Sequence, residues 1–190
     1  MCCKNVILLT GLPGAGKSTI VKNAVEMLVS EGVIKKCDIY GYRTIRLFDD
    51  TGRLEGFEIV TYGGEKCTLA TVKNKTADKY MGLFVNRNAF DHIIVNEFER
   101  AKNAAHPLIC IDEIGLMEKI SPRYTACVVD LLQNCRSAVI AVIKLIEKDD
   151  FLDGIKELAN AELFMVAEGA RAAVKKEVYE RILKLMSSKG

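Results

Sequence analysis

Gly11-Leu12-Pro13-Gly14-Ala15-Gly16-Lys17-Ser18 is the stretch of this chain that decides its fold. The apolar run Val6-Ile7-Leu8-Leu9 precedes it, and the helix-like run Thr19-Ile20-Val21-Lys22-Asn23-Ala24-Val25-Glu26-Met27-Leu28 follows. Strand, glycine-rich loop and helix in that order form the setting in which Gly-x-x-x-x-Gly-Lys-Ser works as a phosphate cradle, the Walker A loop. Glycines admit positive φ, so successive backbone N–H groups can turn inward on an anion. The helix behind adds the positive end of its dipole. On this reading Gly11, Leu12, Pro13, Gly14, Ala15, Gly16, Lys17, Ser18 and Thr19 surround a phosphate chain. Lys17 reaches the β- and γ-phosphates, and Ser18 places its hydroxyl on Mg²⁺.

Outward from the loop, strand and helix signals alternate. Residues 5–10 read as a buried strand and 17–30 as a helix stopped by Gly32. From residue 38 to 72 the texture changes to β-formers broken by Asp49-Asp50-Thr51-Gly52 and Gly63-Gly64, both turn signals. Two or three antiparallel strands are expected there, with a further short strand in residues 80–85. Residues 86–105 then show one broad apolar face of a helix. Residues 107–112 and 138–143 are continuously apolar, as strands of a parallel sheet are when both faces are covered. Ser121-Pro122 reads as an N-cap followed by proline at the first helical position, opening a helix towards Asn134. A short helix at 151–159, a strand at 163–166 and a helix at 170–186 complete the chain. The alternation implies one α/β domain over residues 1–190. Its architecture is a three-layer α/β/α sandwich with a mainly parallel sheet and an antiparallel β insertion at about residues 38–72.

Ligands in such folds bind beyond the carboxyl ends of the strands. Leu108-Ile109-Cys110-Ile111-Asp112-Glu113 ends there as an apolar strand closed by two acids, a Walker B pattern. Asp112 is placed to hold Mg²⁺, usually through water. Glu113, one position on, can point at the γ-phosphate and polarise an attacking water. Lys144 stands at the tip of the strand 138–143, either as a polar sensor near the γ-phosphate or as an exposed lysine.

Composition sets the remaining bounds. The chain has 190 residues, 49% hydrophobic and 27% charged, with a formal net charge of +2. That profile fits a soluble globular domain, and a charge so near zero points to neither a nucleic-acid nor a membrane partner. Seven cysteines and two histidines occur with no CxxC pair, so a zinc site is not supported. Unpaired cysteines inside apolar runs suit a reducing cytoplasm. Cys2-Cys3 reads as an accident of composition. No segment approaches the ~18 apolar residues of a membrane span. A cleaved leader would take part of the loop with it, so the expected location is the cytoplasm.

Three stretches together resemble a known family: Gly11 to Thr19, then Gly56-Phe57-Glu58-Ile59-Val60-Thr61, then Ile111-Asp112-Glu113-Ile114-Gly115-Leu116-Met117-Glu118. In this order and spacing they are similar to the small nucleoside-triphosphatases (NTPases) of the THEP type. Asp-Glu-Ile-Gly-x-Met-Glu is the most diagnostic piece. The resemblance implies a P-loop NTPase fold related to RecA-type and kinase-type cores. It implies Mg²⁺-dependent hydrolysis of ATP, GTP, CTP and UTP to diphosphate and phosphate, with broad base tolerance and slow turnover. By position it puts Lys17 and Ser18 on phosphate and Mg²⁺, Asp112 behind the metal and Glu113 on the attacking water. The chain departs from the family at Arg43-Thr44-Ile45-Arg46, where members often carry acids, and at Ile143-Lys144-Leu145, where they often carry a basic pair. Glu168-Gly169-Ala170-Arg171 only loosely matches an Asn-Arg motif before the last helix. Arg43, Arg46, Arg123 and Arg171 are the arginine-finger candidates, each with a surface or ion-pair role as its alternative.

Two other readings stay open. A small nucleoside or nucleotide kinase would share the loop sequence and transfer the γ-phosphoryl group to an acceptor, the β insertion serving as its lid. A nucleotide-dependent interaction module would use slow hydrolysis to reset a switch. Sequence leaves the chain a monomer or small oligomer.

Overall fold

The computed structural model describes residues 4–187, so Cys2 and Cys3 lie outside the described residues. Strand β1 (Val6–Thr10) is buried along its whole length. Two parallel neighbours, β8 (Ala138–Ile143) and β9 (Ala161–Met165), flank it. On its far side β8 pairs in parallel with β7 (Leu108–Ile114), and β7 pairs with β2 (Ile39–Phe48). The apolar strand that ends at Ile143 therefore lies between the strand feeding the glycine loop and the strand ending in Asp112-Glu113. Both faces of these strands are covered, which is why their sequences read as unbroken apolar runs.

Strand β2 plays two parts. Ile39 to Arg43 pair in parallel with Leu108 to Asp112, whereas Tyr42 to Phe48 pair antiparallel with β3 (Leu54–Thr61). The sheet continues through β4 (Lys66–Thr71), β6 (Leu83–Val85) and β5 (Asp78–Tyr80). The order is β5-β6-β4-β3-β2-β7-β8-β1-β9. The antiparallel half thus starts midway along β2 and runs to Val85, taking in the stretch read as residues 38–72 and, as β5 and β6, the region where one further short strand is expected at 80–85. Alternating β-formers announce a strand; they do not name its partner, and a ten-residue strand can serve two.

Period-2 alternation divides the core into two layers. Ile7, Leu9, Ile140 and Val142 face α1 (Lys17–Ser30) and α5 (Arg171–Ser187) through Ile20, Ala24, Leu28, Val178 and Ile182. Val6, Leu8, Val139 and Ala141 belong to the opposite layer. It contains α2 (Val95–Lys102), α3 (Pro122–Asn134) and α4 (Asp150–Lys156). The expected cap is present at α3, where Ser121 Oγ accepts from the Tyr124 N–H at 2.9 Å. The helix expected over residues 86–105 instead opens with π-helical turns at Ala89–Ile94 and then becomes α2. Among the described residues, no helix is long and apolar enough to cross a membrane.

Candidate active site

The glycine loop sits at the carboxyl end of β1 and opens α1. Gly11, Gly14 and Gly16 all have positive φ, at 148°, 82° and 93°. Two of them are also required by space. A Cβ at Gly11 would meet the Val166 carbonyl oxygen at 2.3 Å, and one at Gly16 would meet Arg171 Nε at 2.6 Å. Gly16 caps α1 in the left-handed conformation, with no side chain bonded to the helix end and no acid in the first turn. The first N–H groups of α1 are therefore left without side-chain acceptors, as an anion-binding helix end requires.

Lys17 is 8% exposed, and its Nζ donates to the carbonyls of Gly11 and Leu12, both at 2.9 Å. Those bonds hold the ammonium group over its own loop. Ser18 Oγ donates to Asp112 Oδ1 at 3.0 Å, joining the start of α1 to the end of β7. Asp112 is 6% exposed. Burial pushes its carboxyl up to about 6 and the charge of Glu113 adds to this, while Ser18, Lys17 and Arg43 pull the other way. A hydroxyl and a carboxylate at this separation beside an anion cradle are hard oxygen donors of the kind Mg²⁺ takes.

The tip of β7 is fastened group by group. Register slips between Asp112 and Ile114, so Glu113 lies outside the regular ladder with β8; the Asp112–Glu113 peptide is cis. Thr44 Oγ1 donates to the Asp112 carbonyl at 2.6 Å, and the Tyr42 hydroxyl donates to the Glu113 carbonyl at 3.1 Å. Tyr42 also shares a 2.8 Å hydrogen bond with the buried Tyr124 hydroxyl. The Lys144 N–H donates to the Ile114 carbonyl at 2.9 Å, and the Gly115 N–H donates to Glu118 Oε2 at 2.9 Å. Glu118 is fully enclosed, and burial pushes its carboxyl up to about 7.

These parts line one cleft of about 490 Å³. Gly11, Pro13, Gly14, Gly16, Lys17, Ser18 and Thr19 form its loop wall, and Asp112, bonded to Ser18, lines it together with Glu113. Leu12 instead points outward, 70% exposed, and Ala15 packs against the layer of α1 and α5. Lys144 lines the cleft with its Nζ 3.5 Å from the Tyr80 hydroxyl. Arg46 lines it too. Arg171 braces the loop from outside through Nε to the Ala15 carbonyl at 2.9 Å and a longer bond to Gly14. Arg43 lies over the Tyr62 ring, 5.9 Å from its centre, and neither Arg43 nor Arg123 lines the cleft.

Several residues here were not singled out from sequence. Tyr42, Thr44, Phe57, Tyr80 and Tyr124 read as ordinary β-formers or helix core, because the β2–β7 pairing that aims Tyr42 and Thr44 is non-local. Glu118 ends the diagnostic Asp-Glu-Ile-Gly-x-Met-Glu stretch, which as sequence gives it no role; the structure places it buried beneath the Gly115 N–H.

Known proteins resemble this chain over most of its length. A family model described as NTPase matches residues 6–179. A nucleoside-triphosphatase THEP1 from Thermotoga sp. (strain RQ2) is 32% identical over 172 residues, covering 90% of this chain and 92% of that protein. The crystal structure of THEP1 from the hyperthermophile Aquifex aeolicus superposes with a TM-score of 0.77 at 26% identity, covering 91% of this chain and 96% of that one. The solution structure of a human cancer-related nucleoside triphosphatase gives a TM-score of 0.74 at 25% identity, covering 93% and 96%. The P-loop NTPase sandwich read from the sequence is the fold these chains share.

Proposed function

This chain belongs to the NTPase family that includes the THEP1 nucleoside-triphosphatases, and we propose that it hydrolyses nucleoside 5′-triphosphates to diphosphate and phosphate. The observation that carries the reading is Glu113, set directly after Asp112 in the same cleft as Lys17 and Ser18. The terminal phosphates lie along the N–H groups of the loop and the first turn of α1, with Lys17 on their oxygens. Glu113 orients a water in line with the bond to the leaving diphosphate and takes its proton as the oxygen attacks. Ser18 and Asp112 would hold Mg²⁺, Asp112 through water. When bound, that ion neutralises charge spread over the β- and γ-oxygens. Use of ATP, GTP, CTP and UTP alike belongs to this reading through the likeness to the THEP1 nucleoside-triphosphatases. Slow turnover belongs to this reading: Arg43 lies over Tyr62 and Arg171 on the loop carbonyls, and of the four arginine-finger candidates Arg46 is the one that lines the cleft. The five described cysteines are free thiols, which fits a cytoplasmic setting.

Phosphate release from each of the four triphosphates, with and without Mg²⁺, tests the reading. Release is expected with all four and only with the metal. Glu113→Gln is expected to lower it about a hundredfold or more while nucleotide binding persists. Full release by that variant would remove Glu113 from the mechanism.

A further inference from the structure

The cleft has lining residues that the phosphate, metal and water roles do not use. Its loop wall and Ser18–Asp112 pair account for the phosphates and the metal, and Glu113 for a water. Its lining also includes a second group, here the second half, of Arg46, Phe57, Tyr80, Leu116, Lys144 and Leu145, with the buried Glu118 among the same lining residues. These come from β2, β3, the end of β5, and the segments following β7 and β8. Lys17 and Glu113 mark the γ end of a bound triphosphate, and these residues line the same cleft as that pair.

Its chemistry is that of a ligand coat. Arg46 is exposed and makes no hydrogen bond or ion pair within the described residues. The Lys144 ammonium group lies 3.5 Å from the Tyr80 hydroxyl and 5.7 Å from the Tyr80 ring centre, and its charge also acts on the buried Glu118 carboxyl. Phe57 sits directly across from Arg46 in the β2–β3 ladder and is half-buried, as is Tyr80. Two cations with two aromatic rings suit a planar base that carries a phosphate: stacking holds the ring and the cations hold the anion.

We propose that this second half binds a nucleoside monophosphate and presents it as an acceptor for the γ-phosphoryl group, an activity beyond hydrolysis that rests on the triphosphate site described above. An oxygen of the acceptor's phosphate attacks the γ-phosphorus. The bond from γ-phosphorus to the β–γ bridging oxygen breaks, and that oxygen leaves with the nucleoside diphosphate. The acceptor becomes a second diphosphate. Where its phosphate arrives singly protonated, the proton passes to Glu113. Triphosphate plus monophosphate gives two diphosphates, with no change of oxidation state. Without an acceptor, water takes the same position and hydrolysis is what remains.

The test uses the full chain with Mg²⁺ and γ-labelled ATP, alone and with an excess of AMP, GMP, CMP or UMP. Labelled nucleoside diphosphate is expected with at least one of the four, together with slower release of free phosphate. Phe57→Ala and, separately, Arg46→Ala are expected to lower the ratio of diphosphate formed to phosphate released about tenfold, the scale of losing a base's stacking partner. Arg46 is exposed, so its replacement keeps the test valid if Phe57→Ala fails to fold. Phosphate release with no labelled diphosphate from any monophosphate would overturn the acceptor site and leave the hydrolase reading standing. Transfer that neither substitution alters would overturn this placement. Neither release nor transfer would mean that the triphosphate site itself had been misread.

Discussion

The Tyr42 hydroxyl donates a 3.1 Å hydrogen bond to the backbone carbonyl of Glu113, across the β2–β7 boundary and just where the register of β7 slips. A carboxylate at such a slip has no ladder to hold it, and this bond replaces the missing ladder contact. Tyr42 is fully buried and also shares its oxygen with Tyr124. Tyr42→Phe keeps the ring and removes both bonds. It should cost about 1–3 kcal/mol of stability, because the Glu113 carbonyl and the Tyr124 hydroxyl lose a partner in a buried site. It should also lower kcat for phosphate release roughly tenfold to a hundredfold through misplacement of Glu113, with KM nearly constant. Steady-state kinetics beside a thermal melt separates the two effects. A stability loss with unchanged kcat would reduce Tyr42 to a core residue.

Most of the frame was legible because its signals are local. The loop from Gly11 to Ser18 carries its own backbone demands, and the runs at 138–143 and 107–112 announce strands covered on both faces. Ser121-Pro122 declares its helix start. The hidden part depends on pairings distant in sequence. Nothing in Tyr40-Gly41-Tyr42 says that Gly41 lies beside Cys110, or that Thr44 reaches the Asp112 carbonyl. A tyrosine in an alternating strand reads equally well as packing. The arginines show the converse difficulty. Arg43, Arg46, Arg123 and Arg171 look alike as sequence, and only the fold separates the one in the cleft from the one bracing the loop.

Glu118 should leave a signature in the pH dependence of stability. Burial, with Glu113 adding to it, pushes its carboxyl up to about 7, against an opposing pull from the Gly115 N–H and Lys144; the buried Tyr42 and Tyr124 hydroxyls face it too. In the unfolded chain the same group ionises near 4.3. Between those values the folded state holds a proton that the unfolded state has released. Its contribution is therefore complete at acid pH and is lost as pH rises towards about 7. Asp112, pushed up to about 6, adds a slope of the same sign. The melting temperature should fall across this window by an amount on the order of several degrees and flatten above it. Glu118→Gln, neutral throughout, should show the shallower slope left by Asp112. Equal slopes in the two proteins would mean that Glu118 is ionised in the fold at every pH tested.

Arg171 is predicted to act on nucleotide affinity. Its guanidinium donates to the Ala15 and Gly14 carbonyls, which fixes those two peptide units of the loop, while the Ala15 N–H is held by the Leu12 carbonyl at 3.2 Å. Arg171→Ala should weaken triphosphate binding by about tenfold, the worth of one charge-assisted hydrogen bond, and change kcat less. The side chain is exposed, so the fold should lose little stability. Calorimetric titration with a non-hydrolysable triphosphate gives the affinity. A kcat that collapses at unchanged affinity would instead make Arg171 a transition-state contact.

Gly41 is where the site's second support meets the core. Its φ is 100°, and a Cβ there would lie 1.9 Å from the Cys110 carbonyl oxygen of the neighbouring strand. No rotamer relieves a clash with backbone, so Gly41→Ala must push β2 away from β7. The expected cost is about 3 kcal/mol or more, a drop in melting temperature on the order of ten degrees for a domain of this size. Gly154→Ala is the control: it sits in α4 with nothing within 4 Å of the added carbon, and should be neutral or stabilising by up to about 1 kcal/mol. The consequence for catalysis follows from the same geometry. Displacing β2 carries Tyr42 and Thr44 away from the Glu113 and Asp112 carbonyls, so Gly41→Ala assayed well below its melting temperature should still release phosphate more slowly than the parent. Activity that recovers fully at low temperature would show that the two bonds hold the strand and leave the carboxylates to place themselves.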